Sequence, residues 1–533
     1  MSIRDQQPAL VTQVLAARGA RLDGATLVMP DLRRIPVPEL PPIADLTDLP
    51  SALPSRARGD AREKLLYNVA QDLSGLQPSQ RQADSVLWGA LGDRIGGDRT
   101  SQRVLSSVMR KQYRVEPQRR AGATGSPFTT PFHATLPGGY DYRGRYKSFR
   151  GSLLLFLCWD GSDFDTEPIE ELARFLSSDT GLTLLDRELV RIATDLIAEA
   201  GKPAPVPAAG HITEEFGDDM RTRLGSGSFD QAGLARMKRD LHTVLHLALP
   251  RHDKVAAIVH GLSINLALYY YRLAYTLGAG IDSCVVAAAG HDPGPAPDFT
   301  GRLLFRVGSG GDRPVRRTDP CSQSFLELDA RLLLGLPASM VVTNVLHAAS
   351  LATGAAQRGS LPNPHALAAS LHADPSTRHA VDALTALLSL EIAPEGETHR
   401  TAQQAATPGS GCYATREASL DSFRSRGSTL KQRGRDVVHT LVGGYVGGLK
   451  ASRGPVSFFE LDEAVLELLV EFSLAAAGTT RLNFRDGFLP ALADYGLKPQ
   501  DRAEEAELAQ ALERLGLLQR YSDAGEALYV GNA

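Results

Sequence analysis

The chain has 533 residues and a mass of 57.2 kDa, 43% hydrophobic and 22% charged, which is enough to bury several cores without disulfide or metal staples. Its 57 Lys and Arg against 61 Asp and Glu leave a net charge of −4, which excludes a wholly basic nucleic-acid coat. Four cysteines, Cys158, Cys284, Cys321 and Cys412, form no C-x-x-C pair, which excludes a zinc knuckle or a vicinal redox centre and fits a reducing, cytoplasmic setting.

Residues 1 to 18 lack a basic start, an apolar block and a small-residue cleavage site, so no secretory signal is expected. Residues 1–120 read as a helical domain with an extended arm. Pro30 to Pro54 is rich in proline at irregular apolar spacing, and Ala61 to Leu73, Gln82 to Arg94 and Thr100 to Tyr113 then repeat apolar residues every three or four positions. Residues 121–201 read as a small α/β segment. Its run Ser152 to Trp159 has the length and loop flanks of a buried strand, and helices are expected over Ile169 to Phe175 and Leu185 to Ala200. Lys202 to Gly210 reads as a linker.

Residues 211–392 read as a large helical core domain. Two uncharged stretches, Val255 to Tyr271 and Leu332 to Gln357, are long enough to raise membrane insertion, but they carry His260, Ser263 and Asn265, and Thr343, Asn344, His347 and Ser350. Such groups are costly among lipid tails, so these are expected to be buried core helices and no membrane contact is expected. Residues 393–415, with the proline-bearing and apolar-poor Pro394 to Gly411, read as a flexible linker, and residues 416–456 as a basic, glycine-containing segment.

In residues 457–533 cap signals, periodicity and turns agree with one another. Ser457-Phe-Phe-Glu460 has the spacing of a capping box, opening a helix that runs to about Ala477 with Gly478 beyond it. Phe484 to Asp494, closed by Gly496, gives a second helix, and Asp501-Arg-Ala-Glu504 opens a third that ends before Gly516. Leu517 to Tyr521 and Ala527 to Val530 flank a turn as a β-hairpin. Three helices and a hairpin spell a winged-helix module. Its third helix holds five acids and two bases between Asp501 and Arg514, a charge of −3 that a groove lined with phosphates repels. Protein docking, or a structural cap, is therefore expected of it before DNA readout.

Three basic segments are the candidates for nucleic-acid contact. Arg99 to Arg120 has seven bases against one acid. Tyr140 to Arg150 mixes four bases with four aromatic rings, which suits phosphate neutralisation with base stacking and nominates Tyr142, Arg143, Arg145, Tyr146, Lys147 and Arg150. Arg424 to Arg435 contributes Arg424, Arg426, Lys431, Arg433 and Arg435 with no acid among them. Each segment also has the composition of an ordinary solvated basic face.

Asp160, Asp163, Asp165, Glu167, Glu170 and Glu171 offer oxygen ligands for a hard cation, but they equally suit a turn and the acidic start of a helix. His242 and His246 share one helical face at a spacing that places two imidazoles on one zinc ion. Thr243 stands where a zinc-protease helix has Glu, and such histidines also serve as rim residues, so no metal or other cofactor is assigned. His211, Glu214, Glu215, Asp218 and Asp219 form a second, equally weak polar cluster. No phosphate-binding loop, no G-x-S-x-G and no G-x-G-x-x-G after a strand is present, and Cys158 and Cys284 lie in apolar runs that make a thiol inert. No catalytic residue is nominated.

Within Phe459 to Val530, the acidic apolar helix, Asp494-Tyr-Gly496, Leu512-Glu-Arg-Leu-Gly-Leu517 and Tyr521-Ser-Asp-Ala-Gly525 resemble the C-terminal end of accessory subunits of bacterial phage-defence systems. The resemblance is in particular to the DptG-like subunit of phosphorothioation-dependent restriction and to components of methylation-associated defence systems. The resemblance covers under a sixth of the chain and carries over no catalytic residue. It implies a bacterial, cytoplasmic subunit that works beside ATPase or nuclease partners on DNA. The expected fold is mainly α with a minor α/β part, a multi-domain helical protein ending in a winged-helix module. The expected function is a non-catalytic accessory or scaffold subunit of an anti-phage, restriction–modification-type complex. The alternatives are a metal-dependent nuclease or hydrolase using the Asp or His cluster, and a winged-helix transcription regulator.

Overall fold

The computed structural model describes residues 7–40, 98–100, 133, 153–160, 163–199, 208–210, 212–214, 217–218, 221, 231–308, 314–331, 336–357, 363–425, 449–453, 455–521 and 527–531. Among these the architecture is mainly helical with three small sheets.

Helix α1 (Pro8–Ala16) leads into a three-stranded antiparallel sheet of β1 (Arg21–Asp23), β2 (Thr26–Val28) and β3 (Arg34–Pro36), in which Leu27 stands opposite both Leu22 and Ile35. The described start of the proline-rich arm is thus a paired strand. The helical patterns between residues 61 and 113 lie outside the described residues, apart from residues 98–100.

The apolar run after residue 152 is not a strand. It forms α2 (Leu153–Leu157), packed against α5. Its leucines are helix formers without a β-branched residue, and a short apolar run buried all round gives no period by which to separate helix from strand. The amphipathic α3 (Glu167–Ser177) and α4 (Leu184–Glu199) follow at their expected places. Then come α5 (Gln231–His246) and α6 (Arg251–Ala288). At 38 residues, α6 is about 57 Å long. Three consecutive tyrosines, Tyr269, Tyr270 and Tyr271, are all buried on it, so protein covers every face.

From Val255 to Leu277, α6 lies in one apolar core with α2, α3, α5 and the C-terminal elements, and its last turns, Ile281 to Ala288, lie in a second. Beyond it come β4 (Leu303–Val307), α7 (Pro320–Ala330), α8 (Leu336–Thr353), α9 (Pro364–Ala373) and α10 (Pro375–Ile392). Helix α8 is long and apolar enough to cross a membrane by length and composition, yet in the fold it packs against α6 and α10 inside the second core.

The stretch expected to be a flexible connector is ordered. A 3-10 turn at Glu395–Glu397 runs into α11 (Thr398–Ala405), and α12 (Gly411–Ser425) follows at once. Large apolar residues do not hold it, and so its composition misleads. Thr398, Thr401, Ala402 and Ala405 are buried, and the turn between the helices is gripped by Asp382 on α10, whose carboxylate accepts the Gly409 and Gly411 N–H groups at 2.8 and 2.7 Å.

The C-terminal part begins with β5 (Lys450–Arg453) and β6 (Val456–Leu461), an antiparallel pair with Ser457 opposite Ser452. No helix starts at Ser457. Phe458 and Phe459 are both fully buried, as on a strand covered on both faces, and the true cap lies five residues later. Asp462 accepts the Val465 N–H at 2.9 Å and opens α13 (Glu463–Ala477), which ends at Gly478 in the left-handed conformation, φ 63°.

β7 (Arg481–Asn483), a π-turn at Phe484–Phe488 and α14 (Leu489–Asp494) come next. They are followed by β8 (Leu497–Pro499), α15 (Arg502–Arg514), β9 (Leu518–Tyr521) and β10 (Ala527–Gly531). Strands β7, β10 and β9 make an antiparallel sheet in that order. β4 of the body lies between β6 and β8, parallel to both, so the C-terminal part and the body share one four-stranded sheet in the order β5-β6-β4-β8.

Candidate functional site

The junction between α15 and the body defines what the C-terminal part can present. Asp501 caps α15 by accepting the Glu504 N–H at 2.9 Å, as its spacing predicts. Glu504 itself turns inward. Its carboxylate meets the Arg306 guanidinium at 3.1 Å and the Val307 N–H at 3.2 Å, and the two side chains of the ion pair are 3% and 7% exposed. The first turn of α15 is therefore fastened to β4. Further along, Glu505 faces Arg485 at 3.4 Å, and Glu513 takes both nitrogens of the Arg520 fork at 3.1 and 3.0 Å.

A second contact joins the same two regions, and nothing in the sequence pattern foretells it. The Tyr495 hydroxyl donates to both oxygens of Asp240 on α5, at 2.9 and 2.8 Å, while Arg236 lies over the Tyr495 ring at 4.8 Å from its centroid. Burial pushes the Asp240 carboxyl up to about 6, against the opposing pull of the Tyr495 hydroxyl and the nearby Arg239. The signal present in the sequence was a lone Asp between Arg239 and Leu241 in an amphipathic helix, which no local pattern distinguishes from a surface acid.

Of the residues nominated for nucleic acid, Arg424 lies at the C-terminal end of α12 and pairs with Asp421 at 3.0 Å. Asp421 also faces Arg400 at 3.4 Å. Tyr142, Arg143, Arg145, Tyr146, Lys147, Arg150, Arg426, Lys431, Arg433 and Arg435 lie outside the described residues.

Between α2 and α3, Trp159 bridges Phe164, and the Asp163 N–H donates to Asp160 Oδ1 at 2.8 Å. Asp163 pairs with Arg221 at 3.0 Å, and Asp165 pairs with Lys238 of α5. Hydrogen bonds from the Phe164 N–H and Arg221 hold the Asp163 carboxyl below the usual carboxylate range. The Asp163 and Asp165 oxygens thus meet cationic side chains, and among the described residues this loop gathers no set of converging metal ligands.

Glu171 departs from its acidic neighbours. On α3 it faces α5, where the four-residue spacing of His242 and His246 sets their rings side by side with centroids 4.2 Å apart. The two Nε2 atoms are 3.1 Å apart, and Glu171 Oε1 lies 3.3 Å from His246 Nε2 and 3.8 Å from His242 Nε2. Among the described residues this is the one trio of potential metal ligands that converges. Neither His252, which is exposed beside Asp253, nor His260 belongs to it, and His211, Glu215 and Asp219 of the second polar cluster lie outside the described residues.

All four cysteines are reduced and buried. Burial pushes the Cys158 and Cys412 thiols up to about 12 and that of Cys321 up to about 11, and it raises Cys284 as well, so none is a poised nucleophile. A scan against protein families finds no family model that matches the chain, and a search of curated proteins finds no match.

Proposed function

We propose that this protein is a non-catalytic accessory or scaffold subunit of a bacterial, cytoplasmic DNA-acting defence complex, in which its C-terminal part docks protein. The order helix, strand, helix, strand, helix, hairpin over residues 463–531, with the first of these strands pairing the last, supports reading that part as a winged-helix-like module whose second strand, β8, is lent to the sheet of the body. The observation that carries the docking assignment is the Arg306–Glu504 pair. A recognition helix offers its N-terminal residues to base edges, whereas α15 has that end fastened to β4 and, together with its cap Asp501, carries a charge of −3. The resemblance of Phe459 to Val530 to phage-defence accessory subunits supports partners of the ATPase or nuclease kind. The basic segments around Tyr142 to Arg150 and Arg424 to Arg435 supply the candidate contacts to DNA.

The test uses the full chain, because β4 and the C-terminal strands complete one another's sheet. Co-purification with an ATPase or nuclease, abolished when the exposed Ala503, Ala506 and Gln510 of α15 are replaced by Arg, is the expected result. Sequence-specific duplex binding that survives those replacements, or substrate turnover by the purified chain alone, overturns the assignment.

A further inference from the structure

We propose that Glu171, His242 and His246 form a zinc site with three protein ligands and a fourth coordination position open to solvent. The donor atoms stand 3.1, 3.3 and 3.8 Å apart. With zinc–nitrogen and zinc–oxygen bonds of about 2.0–2.2 Å, the edges of a tetrahedron measure about 3.3–3.6 Å, so one ion touches all three atoms with shifts of a few tenths of an ångström. Two imidazole nitrogens at 3.1 Å are also compatible with a single N–H···N bond. Glu171 separates the two readings. Its side chain is only 15% exposed, and its Oε2 is buried without a hydrogen-bond partner. A buried carboxylate with one oxygen left in that state is costly, and a cation bound at Oε1 lowers the cost by neutralising the charge that the two oxygens share.

The chemistry of the donors selects the metal. Two imidazoles and one carboxylate match the donor set of zinc sites that keep a water in the fourth position, while magnesium and calcium require all-oxygen shells. With His242 and His246 side chains 53% and 60% exposed, solvent reaches the remaining coordination position directly. The ion bridges α3 to the last turn of α5, on the helix that also supplies Asp240 to the junction with the C-terminal part.

The experiment uses full-length protein purified without a histidine tag, stripped of metal by a chelator and titrated with Zn(II) against a chromophoric competitor. Co(II) serves as a visible reporter of the ligand field. One ion per chain is expected. H242A and H246A should each weaken binding by more than the about 10–100-fold that loss of a supporting hydrogen bond costs a metal site, and E171Q by at least about tenfold with a shifted Co(II) spectrum. Zn(II) should also raise the Tm of the wild type and not of H242A. Unchanged affinity in E171Q identifies a surface histidine pair that binds metal adventitiously and overturns the proposal. Undiminished stoichiometry in the H242A and H246A variants places the ion elsewhere and overturns it equally.

Discussion

Arg18 and Asp382, 364 residues apart in sequence, form an ion pair of 2.7 Å in which both side chains are 4% exposed. Around it the Arg18 guanidinium also donates to the Val14, Ala405 and Thr407 carbonyls, and Asp382 accepts the Gly409 and Gly411 N–H groups. One buried pair thus fixes α1, α10 and the turn between α11 and α12. Removing one partner leaves a buried charge and two unmet N–H donors, so Asp382→Ala is expected to cost about 3–5 kcal/mol in denaturant unfolding. A loss below about 1 kcal/mol would show that the pair does not organise this region.

Asp240 makes stability depend on pH in an identifiable window. Its folded pKa of about 6 lies above the ordinary 3.8, so the native state holds the proton more tightly than the unfolded chain. The contribution is fully present below about pH 4 and is lost as pH rises through about 6. Asp240→Asn, which keeps an acceptor for Tyr495, is expected to flatten that slope and to raise stability at pH 7 by on the order of 2–3 kcal/mol. Tyr495→Phe removes the hydroxyl that lowers the Asp240 pKa and should move the window to higher pH. Thermal melts between pH 4 and 8 check both, and an unchanged profile in Asp240→Asn would refute the assignment.

Gly478 and Gly496 both have positive φ, 63° and 87°, but differ in the space around them. A Cβ at Gly478 meets no heavy atom within 4 Å, while one at Gly496 would lie 2.3 Å from Phe299 Cε1 and 2.7 Å from Leu303 Cδ1. Gly478→Ala is expected to cost about 1–2 kcal/mol from backbone strain alone. Gly496→Ala should cost about 1–3 kcal/mol more, from overpacking against Phe299 and Leu303. Equal losses at the two positions would contradict this geometry.

If the segment Tyr140 to Arg150 neutralises phosphates, the affinity of the full chain for DNA falls steeply with salt. Replacing Arg143, Arg145, Lys147 and Arg150 by Ala then reduces the slope of log affinity against log salt by about 0.9 for each phosphate left without its cation. Fluorescence anisotropy at several salt concentrations measures that slope, and an unaltered slope removes the segment from the DNA-contacting surface.

The features legible in the sequence are those decided within one turn of helix or one hairpin. Gly478 as a stop, Asp501 as a cap, and the pairing of β9 with β10 all follow from neighbours in the chain. The shared face of His242 and His246 was legible for the same reason, while Glu171 was not, because its approach depends on how α3 packs on α5. Pro394 to Gly411 looked unstructured because composition registers apolar burial and not a carboxylate on another helix that collects backbone N–H groups. Ser457-Phe-Phe-Glu460 had the spacing of a cap, but two adjacent buried phenylalanines and a partner strand outweighed it.

The position of β4 between β6 and β8 has a consequence for synthesis on the ribosome. Leu303–Val307 is translated long before either flanking strand, so both of its hydrogen-bonding edges wait, at about 5–20 residues per second, for roughly ten seconds or more. During that interval the nascent chain exposes an apolar segment, Leu-Leu-Phe-Arg-Val, that invites pairing with other chains. A ribosome that stalls short of β6 releases a product with this segment still uncovered. Truncated transcripts of this protein are therefore expected to yield aggregates rather than a soluble body lacking its tail.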